Sequence, residues 1–268
     1  MVTHRPSQPV PASHQPANPY AGLLLIDKPL GITSMDALRV LRRGLAAAGA
    51  KVRGKGPGKV RTGHAGTLDP LATGLLIACI GKATRSVEQL MGLPKQYLAE
   101  IDLTAFTTTD DREGDRNEVH VHTPPTRDDI DQACQKFLGD IQQTPPAYSA
   151  IHVDGRRAYD LARRGKAVEL KSRTVRIDAI EITDYHWPLL TLQIDCGKGT
   201  YIRSLARDLG QALNTGGHLA SLRRTQIGPY RVDQAVDIQR CEAPIHPEDL
   251  LPMPSASAQP SDGKAGSR

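Results

Sequence analysis

Residues 63–74 read GHAGTLDPLATG, a stretch with four glycines or prolines that leads directly into the apolar run LLIACI at residues 75–80. Gly and Pro hold a short segment in tight turns, whereas an unbroken apolar run of this length is typical of a buried strand. The chain must therefore fold so that a rigid loop meets the start of a central strand. The two side chains of this loop suited to acid–base chemistry are His64 and Asp69, and we expect the loop to present them.

The rest of the chain alternates between short predicted strands and helices. Runs or alternation of apolar residues predict further strands at residues 23–26, 97–103, 175–182 and 190–194. Helices are predicted at residues 128–138 and 201–213 and after Thr33 or Ser34, either of which can cap a helix. Because strands outnumber helices and the two are interspersed, we predict an α+β fold with a mixed, largely antiparallel central sheet flanked by helices and loops.

Composition divides the chain into one folded region and two terminal segments. Residues 1–21 form a Pro-rich arm that we expect to be disordered, residues 22–238 one folded domain containing a basic loop at 44–62, and residues 239–268 a short, mostly disordered tail. The first twenty residues lack the apolar segment of a secretory signal, and no apolar run reaches the ~18 residues that span a bilayer. We therefore expect a cytoplasmic chain without a membrane partner.

Cysteine spacing and the known cofactor motifs give no sign of a bound cofactor. The four cysteines lie far apart without a CxxC pair, which argues against zinc ribbons, iron–sulfur clusters and disulfide frameworks and favours reduced, buried thiols. Residues 49–55 match GxxxxGK, but Gly56 stands where a metal-binding Ser or Thr is required and no apolar strand precedes the match. His120 and His122 have no third ligand nearby in sequence, and no GxSxG is present. We therefore predict no cofactor, no metal and no nucleotide.

Positive charge is concentrated in two windows of a chain whose net charge is +5. Residues 51–61 hold five basic residues and no acidic one, and residues 156–176 hold eight basic residues against two acidic ones. The rest of the chain is therefore net negative, and charge sorted in this way suits a surface that follows phosphates. The arginines expected to contact an RNA backbone are Arg61, Arg156, Arg157, Arg163, Arg164, Arg223 and Arg224.

Four segments in order resemble the TruB family of tRNA pseudouridine synthases: LLLIDKPLGITS at 23–34, GHAGTLDPLATGLL at 63–76, KQY at 95–97 and GKGTYIRSLARDLG at 197–210. The resemblance extends from about Gly22 to Tyr230. By spacing alone, an Asp before Pro is most simply a turn-forming residue. The resemblance instead implies that Asp69 is an essential catalytic carboxylate. It also implies that the chain isomerises uridine 55 in the T loop of tRNA to pseudouridine, without a metal, nucleotide or redox cofactor.

The family's catalytic residues map onto Asp69, Arg203 and Tyr97. Asp69 would either attack the anomeric carbon or remove the 2′-proton of the ribose, and the sequence leaves both routes open. Arg203 matches the arginine that pairs with this Asp, and a guanidinium stays charged when buried. Tyr97 matches the tyrosine that stacks on the flipped base and assists the final deprotonation.

Further positions match residues that bind the substrate. His64 corresponds to the histidine that fills the stack vacated by the flipped base. Tyr201 and the backbone of Leu222 correspond to positions that contact the base. Lys28, with the proline after it, is interpreted as a wall that supports Tyr97.

The chain departs from the family pattern in its acidic loop, its basic loop and its C-terminus. In residues 107–114, TTTDDREG, Thr108 replaces an acid in a loop that we expect to contact or order the RNA. The basic loop at 44–62 is longer than usual, and no complete PUA domain follows residue 240. The expected partner is the T arm of tRNA, bound by a monomer. Two alternatives remain: an RNA-binding or tRNA-folding protein with secondary catalysis, and a pseudouridine synthase acting on another RNA.

Overall fold

A computed structural model describes residues 19–148, 152–153, 156–157 and 170–253 of the 268-residue chain. The helices of this part are α1 (Ser34–Ala47), α2 (Val87–Gly92), α3 (Arg127–Gln135) and α4 (Ile202–Leu213). Its strands are β1 (Gly22–Lys28), β2 (Thr62–His64), β3 (Ala72–Ile80), β4 (Lys95–Asp102), β5 (Ala105–Thr107), β6 (Arg116–Glu118), β7 (Gly139–Gln143), β8 (His152–Val153), β9 (Arg156–Arg157), β10 (Arg173–His186), β11 (Leu189–Cys196), β12 (His218–Ile227), β13 (Tyr230–Arg231) and β14 (Val236–Asp237). Each predicted strand and helix is present, with ends shifted by a few residues.

Ten of these strands form one sheet in the order β14-β1-β3-β12-β4-β11-β10-β7, with β2 also paired to β3 and β13 to β12. The pairs β1–β14 and β3–β12 are parallel, and the other pairs of the sheet are antiparallel. The predicted α+β class with a mixed, largely antiparallel sheet is therefore confirmed. β12 lies between β3 and β4, so the strand that follows the rigid loop comes close to the strand that carries Tyr97.

β3 is a central strand because both of its faces pack against apolar layers. Leu76, Ala78 and Ile80 point into the layer beneath α1, whereas the alternate residues of the strand pack into a second layer on the opposite face. Side chains alternate across a strand, so an unbroken apolar run requires cover on both sides. A third and larger core lies where α3 and α4 pack on β4, β10 and β11, and it holds α4 against the sheet.

α1 begins where the sequence predicts it and ends later than predicted. The Thr33 side chain accepts a hydrogen bond from the Asp36 amide, and the Asp36 carboxylate accepts one from the Thr33 amide, which completes a capping box. The helix continues through Ala47, so the basic loop begins at residue 48 rather than 44. Leu45 is fully buried in the layer under α1, and an irregular loop would not have held it there.

Folded structure also continues past residue 238, where the sequence placed the end of the domain. Cys241 and Ile245 are fully buried against α1, and Leu251 exchanges two backbone hydrogen bonds with Leu23 on β1. Gly44 allows this approach, because a Cβ atom at that position would collide with the Cys241 carbonyl oxygen. Residues 239–253 are therefore packed and are not part of a disordered tail.

All four cysteines are buried and unpaired, as predicted. Burial raises the pKa of each thiol to about 11, which keeps the thiols protonated at neutral pH. In the described part of the chain, no helix is long and apolar enough to cross a membrane.

Candidate active site

A cavity of about 330 Å³ opens where the loop before β3, strands β4 and β12 and the start of α4 meet. Six of the residues singled out from the sequence line it: Asp69, Tyr97, Tyr201, Arg203, Leu222 and Arg224. They come from four separate segments of the chain. The fold therefore brings most of the predicted site into one pocket.

The loop that carries Asp69 is fixed by hydrogen bonds from outside the loop. Gly66 adopts φ +97°, a left-handed conformation that favours glycine, and its carbonyl accepts a 3.1 Å bond from Arg224 Nη2. Ser34 Oγ, at the start of α1, accepts a bond from the Leu68 amide at 2.8 Å and donates to the Leu68 carbonyl at 3.0 Å. Asp69 thus projects from a backbone that has little freedom to move.

Asp69 forms an ion pair with a buried arginine. Arg203 Nη2 lies 2.8 Å from Asp69 Oδ2, and the Arg203 side chain is 7% exposed whereas the Asp69 side chain is 43% exposed. The guanidinium also contacts Asp111 Oδ2 at 3.3 Å and donates to the carbonyls of Thr109 at 3.2 Å and Tyr148 at 3.0 Å. Because these partners hold Arg203 in place, the arginine can orient the more exposed carboxylate of Asp69 toward the cavity.

Asp111 is a site residue that sequence reasoning missed. It lies in the 107–114 loop, which we expected to act on the RNA, but its side chain is buried and contacts Arg203. Thr109 Oγ1 donates to Asp111 Oδ1 at 2.5 Å, and the Glu113 amide donates to the same oxygen at 3.0 Å. The available signal was the pair of adjacent acids in this loop, because two carboxylates in a short turn call for cationic partners.

The neighbouring carboxylate of this loop is also paired with α4. Asp110 Oδ2 lies 2.6 Å from Arg207 Nη1. Burial raises the pKa of Asp110, although the Arg207 charge acts in the opposite direction. Thr108, which stands where the family has an acid, accepts a hydrogen bond from the Asp115 amide at 3.1 Å and so closes the turn.

Tyr97 belongs to a row of residues that runs across the sheet. The strand registers pair Lys28 with Gly74, Gly74 with Arg224 and Arg224 with Tyr97. Tyr97 is half-buried at the cavity wall, and burial raises the pKa of its phenol, with the Arg224 charge opposing the shift. The phenol is therefore neutral at neutral pH.

The sequence led us to interpret Lys28 as a support for Tyr97, but the two residues are not in contact in the structure. Two strands, β3 and β12, separate β1 from β4, and the fully buried Lys28 ammonium donates to the carbonyls of Pro29 and Ile32 at 2.8 Å each. Burial lowers the pKa of Lys28 to about 8, and the Asp69 charge opposes that shift. Lys28 lies outside the cavity lining and fixes the turn whose Gly31 amide bonds to the Asp69 loop.

Tyr201 is fixed on both sides of its backbone. Gln143 accepts a 2.8 Å hydrogen bond from the Tyr201 amide and donates a 3.1 Å bond to the Tyr201 carbonyl. The Arg173 guanidinium lies 4.9 Å from the centre of the Tyr201 ring, a cation–π contact at the cavity wall. Arg173 was missed because no motif marked it.

Lys95 is a second missed residue of the lining. Its Nζ donates to the carbonyls of Met91 and Leu93, the latter at 2.6 Å. Burial lowers its pKa to about 8, helped by the Arg224 charge. Lys95 belongs to the same KQY segment as Tyr97, so this segment was the available sequence signal for Lys95.

His64 lies on β2, immediately before the loop, and outside the cavity lining. Its Nδ1 is buried and has no hydrogen-bond partner within the part of the chain that the structure describes. Burial lowers the pKa of His64, and the Arg224 charge lowers it further. The imidazole is therefore neutral at neutral pH.

The arginines predicted to contact an RNA backbone have different environments. Arg61 is exposed, and Arg223 forms a two-bond ion pair with Asp27 at 3.0 and 2.7 Å. Arg224 is 1% exposed, donates to the Leu75 and Gly66 carbonyls and lines the cavity, so it lies inside the fold and not on an exposed basic surface. The structure gives only the backbone of Arg156 and Arg157, while Arg163 and Arg164 lie outside the described residues.

The histidine pair of the acidic segment lies away from this cavity. The rings of His120 and His122 meet edge to face with centres 4.4 Å apart. Among the described residues, no group of three or more His, Cys, Asp or Glu side chains is placed to hold a metal ion.

Comparisons with known proteins give one consistent result. A family model described as the N-terminal domain of TruB family pseudouridylate synthases matches residues 55–202, and a model described as the tRNA pseudouridylate synthase B C-terminal domain matches residues 203–251. Two similar curated proteins are named tRNA pseudouridine synthase B. The one from Phocaeicola vulgatus is 43% identical over 81% of this chain and 90% of its own length. The one from Bacteroides fragilis is 42% identical over 85% of this chain and 95% of its own length.

A solved structure is also similar to this chain. A Cbf5–Nop10–Gar1 complex matches with a TM-score of 0.63 and 25% identity, over 88% of this chain. The chain spans 61% of the length of the matched chain.

Proposed function

Because this chain belongs to the TruB family of pseudouridylate synthases, we propose that it isomerises uridine to pseudouridine at position 55 in the T loop of tRNA, with Asp69 as the essential carboxylate. The observation that carries the assignment of Asp69 is its 2.8 Å ion pair with the buried Arg203, at the wall of a cavity of about 330 Å³. No other carboxylate of the described chain lines that cavity.

The uridine must leave its stack to reach Asp69. Extruding a base costs a few kcal/mol, and stacking on an aromatic side chain returns about 1–3 kcal/mol. Tyr97 supplies an aromatic face, and Tyr201 and Leu222 also line the cavity. Burial raises the pKa of Tyr97, so its phenol is neutral and acts as a stacking surface and hydrogen-bond donor.

Asp69 starts the reaction at the ribose. In one route, the carboxylate is a nucleophile that bonds to the anomeric carbon, and the electrons of the broken glycosidic bond leave with the base nitrogen. In the other route, the carboxylate is a base that removes the 2′-proton of the ribose, and a glycal forms as the glycosidic bond breaks. In both routes the base turns within the cavity and its carbon 5 bonds to the anomeric carbon. This step displaces the Asp69 carboxylate from the ester, or returns the 2′-proton from Asp69 to the glycal. The carbon 5 proton is then lost, and the former glycosidic nitrogen takes up a proton. The ion pair with Arg203 orients Asp69 toward the ribose.

His64 acts on the T-loop stack and not on the reacting uridine. A neutral imidazole is flat and uncharged, which suits it to fill the gap that the extruded base leaves in a stack.

The test is to map the product on RNA. Unmodified tRNA transcript and an isolated T-arm stem–loop are treated with the protein, and pseudouridine is located by carbodiimide mapping. We expect modification at position 55 of both RNAs and none in transcripts with cytidine at that position. Modification of other RNAs with the T arm left unchanged would overturn the T-loop assignment.

A further inference from the structure

A second concave surface, here called the basic groove, lies between α1 and the loop that follows it, on the side of β2. It encloses about 930 Å³ and carries six cationic side chains: Arg39, Arg42, Arg43, Arg53, Lys59 and Arg61. None of its lining residues is acidic. Lys82 and Arg85 line an adjoining hollow of about 250 Å³ together with Lys59 and Arg61, so the positive surface continues beyond the groove.

Most of this charge is uncompensated. Arg39 pairs with Asp36 in the same helix, and Arg43 lies 4.0 Å from Glu242, but all four side chains are exposed and such pairs are weak. For the three cations of the loop after α1, Arg53, Lys59 and Arg61, the described residues contain no carboxylate partner. The groove therefore presents a net positive field to the solvent.

The arrangement of the cations fits an extended polyanion better than a single phosphate. Arg39, Arg42 and Arg43 follow one face of α1 at helical spacing, and the loop supplies the opposite side. These side chains are exposed or half-exposed and do not converge on one buried point. A small anion site would gather several donors around one spot, whereas a nucleic acid backbone offers phosphates along a line.

The basic groove connects directly to the candidate active site. Thr62 and Gly63 line the groove and belong to β2, whose last residue is His64. The lining of the cavity begins three positions after Gly63, at Gly66, and continues through Asp69. Gly63 and Asp69 are six positions apart in the sequence, so their Cα atoms lie at most about 20 Å apart.

We propose that the basic groove binds the sugar–phosphate backbone of the same RNA whose uridine enters the cavity. This inference rests on the proposed function, which supplies the RNA. The groove adds a phosphate-binding surface made by α1 and the loop of residues 48–61, and neither element takes part in the chemistry. An acidic polypeptide would also match the charge of the groove. The connection of the groove to the cavity through β2 favours RNA, because the RNA must enter the cavity as well.

The test compares two double variants that remove the same charge. R53Q/K59Q neutralises two exposed cations of the groove, whereas K136Q/R231Q neutralises one Lys and one Arg that are exposed and lie outside both the groove and the cavity. Affinity for a T-arm stem–loop and for full-length tRNA transcript is measured across a series of salt concentrations. The isomerisation rate is measured in single turnovers at saturating enzyme, which also reports that the variant is folded.

We expect R53Q/K59Q to weaken RNA binding about 5- to 30-fold and to lower the slope of log affinity against log salt by roughly 1 to 2. Its single-turnover rate should equal that of the wild type, and K136Q/R231Q should change neither quantity more than twofold. A loss on both RNAs places the bound phosphates in the T arm, and a loss on full-length tRNA alone places them elsewhere in the tRNA.

An unchanged affinity and salt slope for R53Q/K59Q on both RNAs would overturn the proposal, and is what a groove for an acidic protein would give. A wild type that binds RNA without isomerising it would defeat the proposed function instead. In that case a groove-specific loss of binding would still support RNA in the groove.

Discussion

The ion pair with Arg203 orients Asp69, and the contact with Asp111 helps to fix the position of Arg203. The guanidinium lies between the two carboxylates, 2.8 Å from Asp69 and 3.3 Å from Asp111. Asp111 is 3% exposed and does not line the cavity, so it acts on the reaction through Arg203 as a positioning residue.

Replacing Asp111 by Asn should therefore slow the reaction without weakening RNA binding. The amide keeps the size of the side chain but removes the charge that fixes Arg203, and misplacement of a catalytic group by about 1 Å can cost on the order of 100-fold in rate. We expect single-turnover isomerisation to fall about 10- to 100-fold with the dissociation constant unchanged. Asp115→Asn, at an exposed position of the same loop, is the matched control. A wild-type rate for Asp111→Asn would show that Arg203 needs no second carboxylate.

Lys28 gives a prediction about stability and pH. Burial lowers its pKa in the folded protein to about 8, below the ordinary value near 10.5, so between these values the unfolded chain binds more protons than the folded one. The contribution of Lys28 to stability should therefore rise as the pH increases from about 8 toward 10.5.

The measurement is the free energy of unfolding in urea for wild type and Lys28→Met across pH 7 to 10. Wild type should be the more stable, by about 1–3 kcal/mol, because the variant leaves two buried carbonyls without a donor. The difference should widen above pH 8. Two parallel pH profiles would mean that the Lys28 pKa is not lowered by folding.

Individual site residues were predictable only where a motif marked them. Asp69, Tyr97 and Arg203 lie far apart in the sequence, and the family motifs assigned them together because spacing alone does not reveal tertiary neighbours. The sequence did not distinguish Arg223 from Arg224, because neighbouring side chains of a strand point to opposite faces and only that of Arg224 is buried. Arg173 belongs to no motif, and only its stacking on Tyr201 identified it.

At the scale of elements, the C-terminal segment acts as a brace for α1. Ile245 is fully buried and its amide donates to the Gly44 carbonyl at 3.1 Å, in the stretch where Gly44 leaves room for the chain. α1 in turn supplies Ser34, which holds the Asp69 loop. The segment therefore supports the site from a distance.

Ile245→Ala should lower the free energy of unfolding by about 2–4 kcal/mol, the usual cost of truncating a fully buried Ile. Met253→Ala, at a side chain that is 44% exposed, should change it by less than about 0.5 kcal/mol. Urea unfolding of the two variants beside wild type makes the comparison. Equal stability of Ile245→Ala and wild type would place the segment outside the cooperative fold.

Strands and helices were predictable because their apolar periodicity is local, but their ends were not. The sequence around residues 44–50 is rich in Ala and Gly and shows no amphipathic pattern of its own. Helix α1 extends past Leu45 because the C-terminal segment around Cys241 and Ile245 covers this part of the helix. That segment has few apolar residues, so the sequence does not predict its packing. Both misplaced boundaries thus have one cause, a contact between parts of the chain that are remote in sequence.

At the scale of the whole molecule, the fold separates chemistry from RNA affinity. The lining of the cavity contains one carboxylate, whereas the lining of the basic groove contains six cations and no acidic residue. Salt should therefore weaken RNA binding strongly while leaving the rate of the bound complex nearly unchanged.

The central claim is that Asp69, oriented by Arg203, is the carboxylate essential for the isomerisation. The most direct test is tritium release from carbon-5-labelled uridine in unmodified tRNA transcript, with wild type and Asp69→Asn, alongside the affinity of each protein for the same RNA. The account predicts turnover by wild type, none by Asp69→Asn, and dissociation constants within about threefold, since less than about 1 kcal/mol of binding should depend on one partly exposed carboxylate. Tritium release by Asp69→Asn at a rate near that of wild type would contradict it.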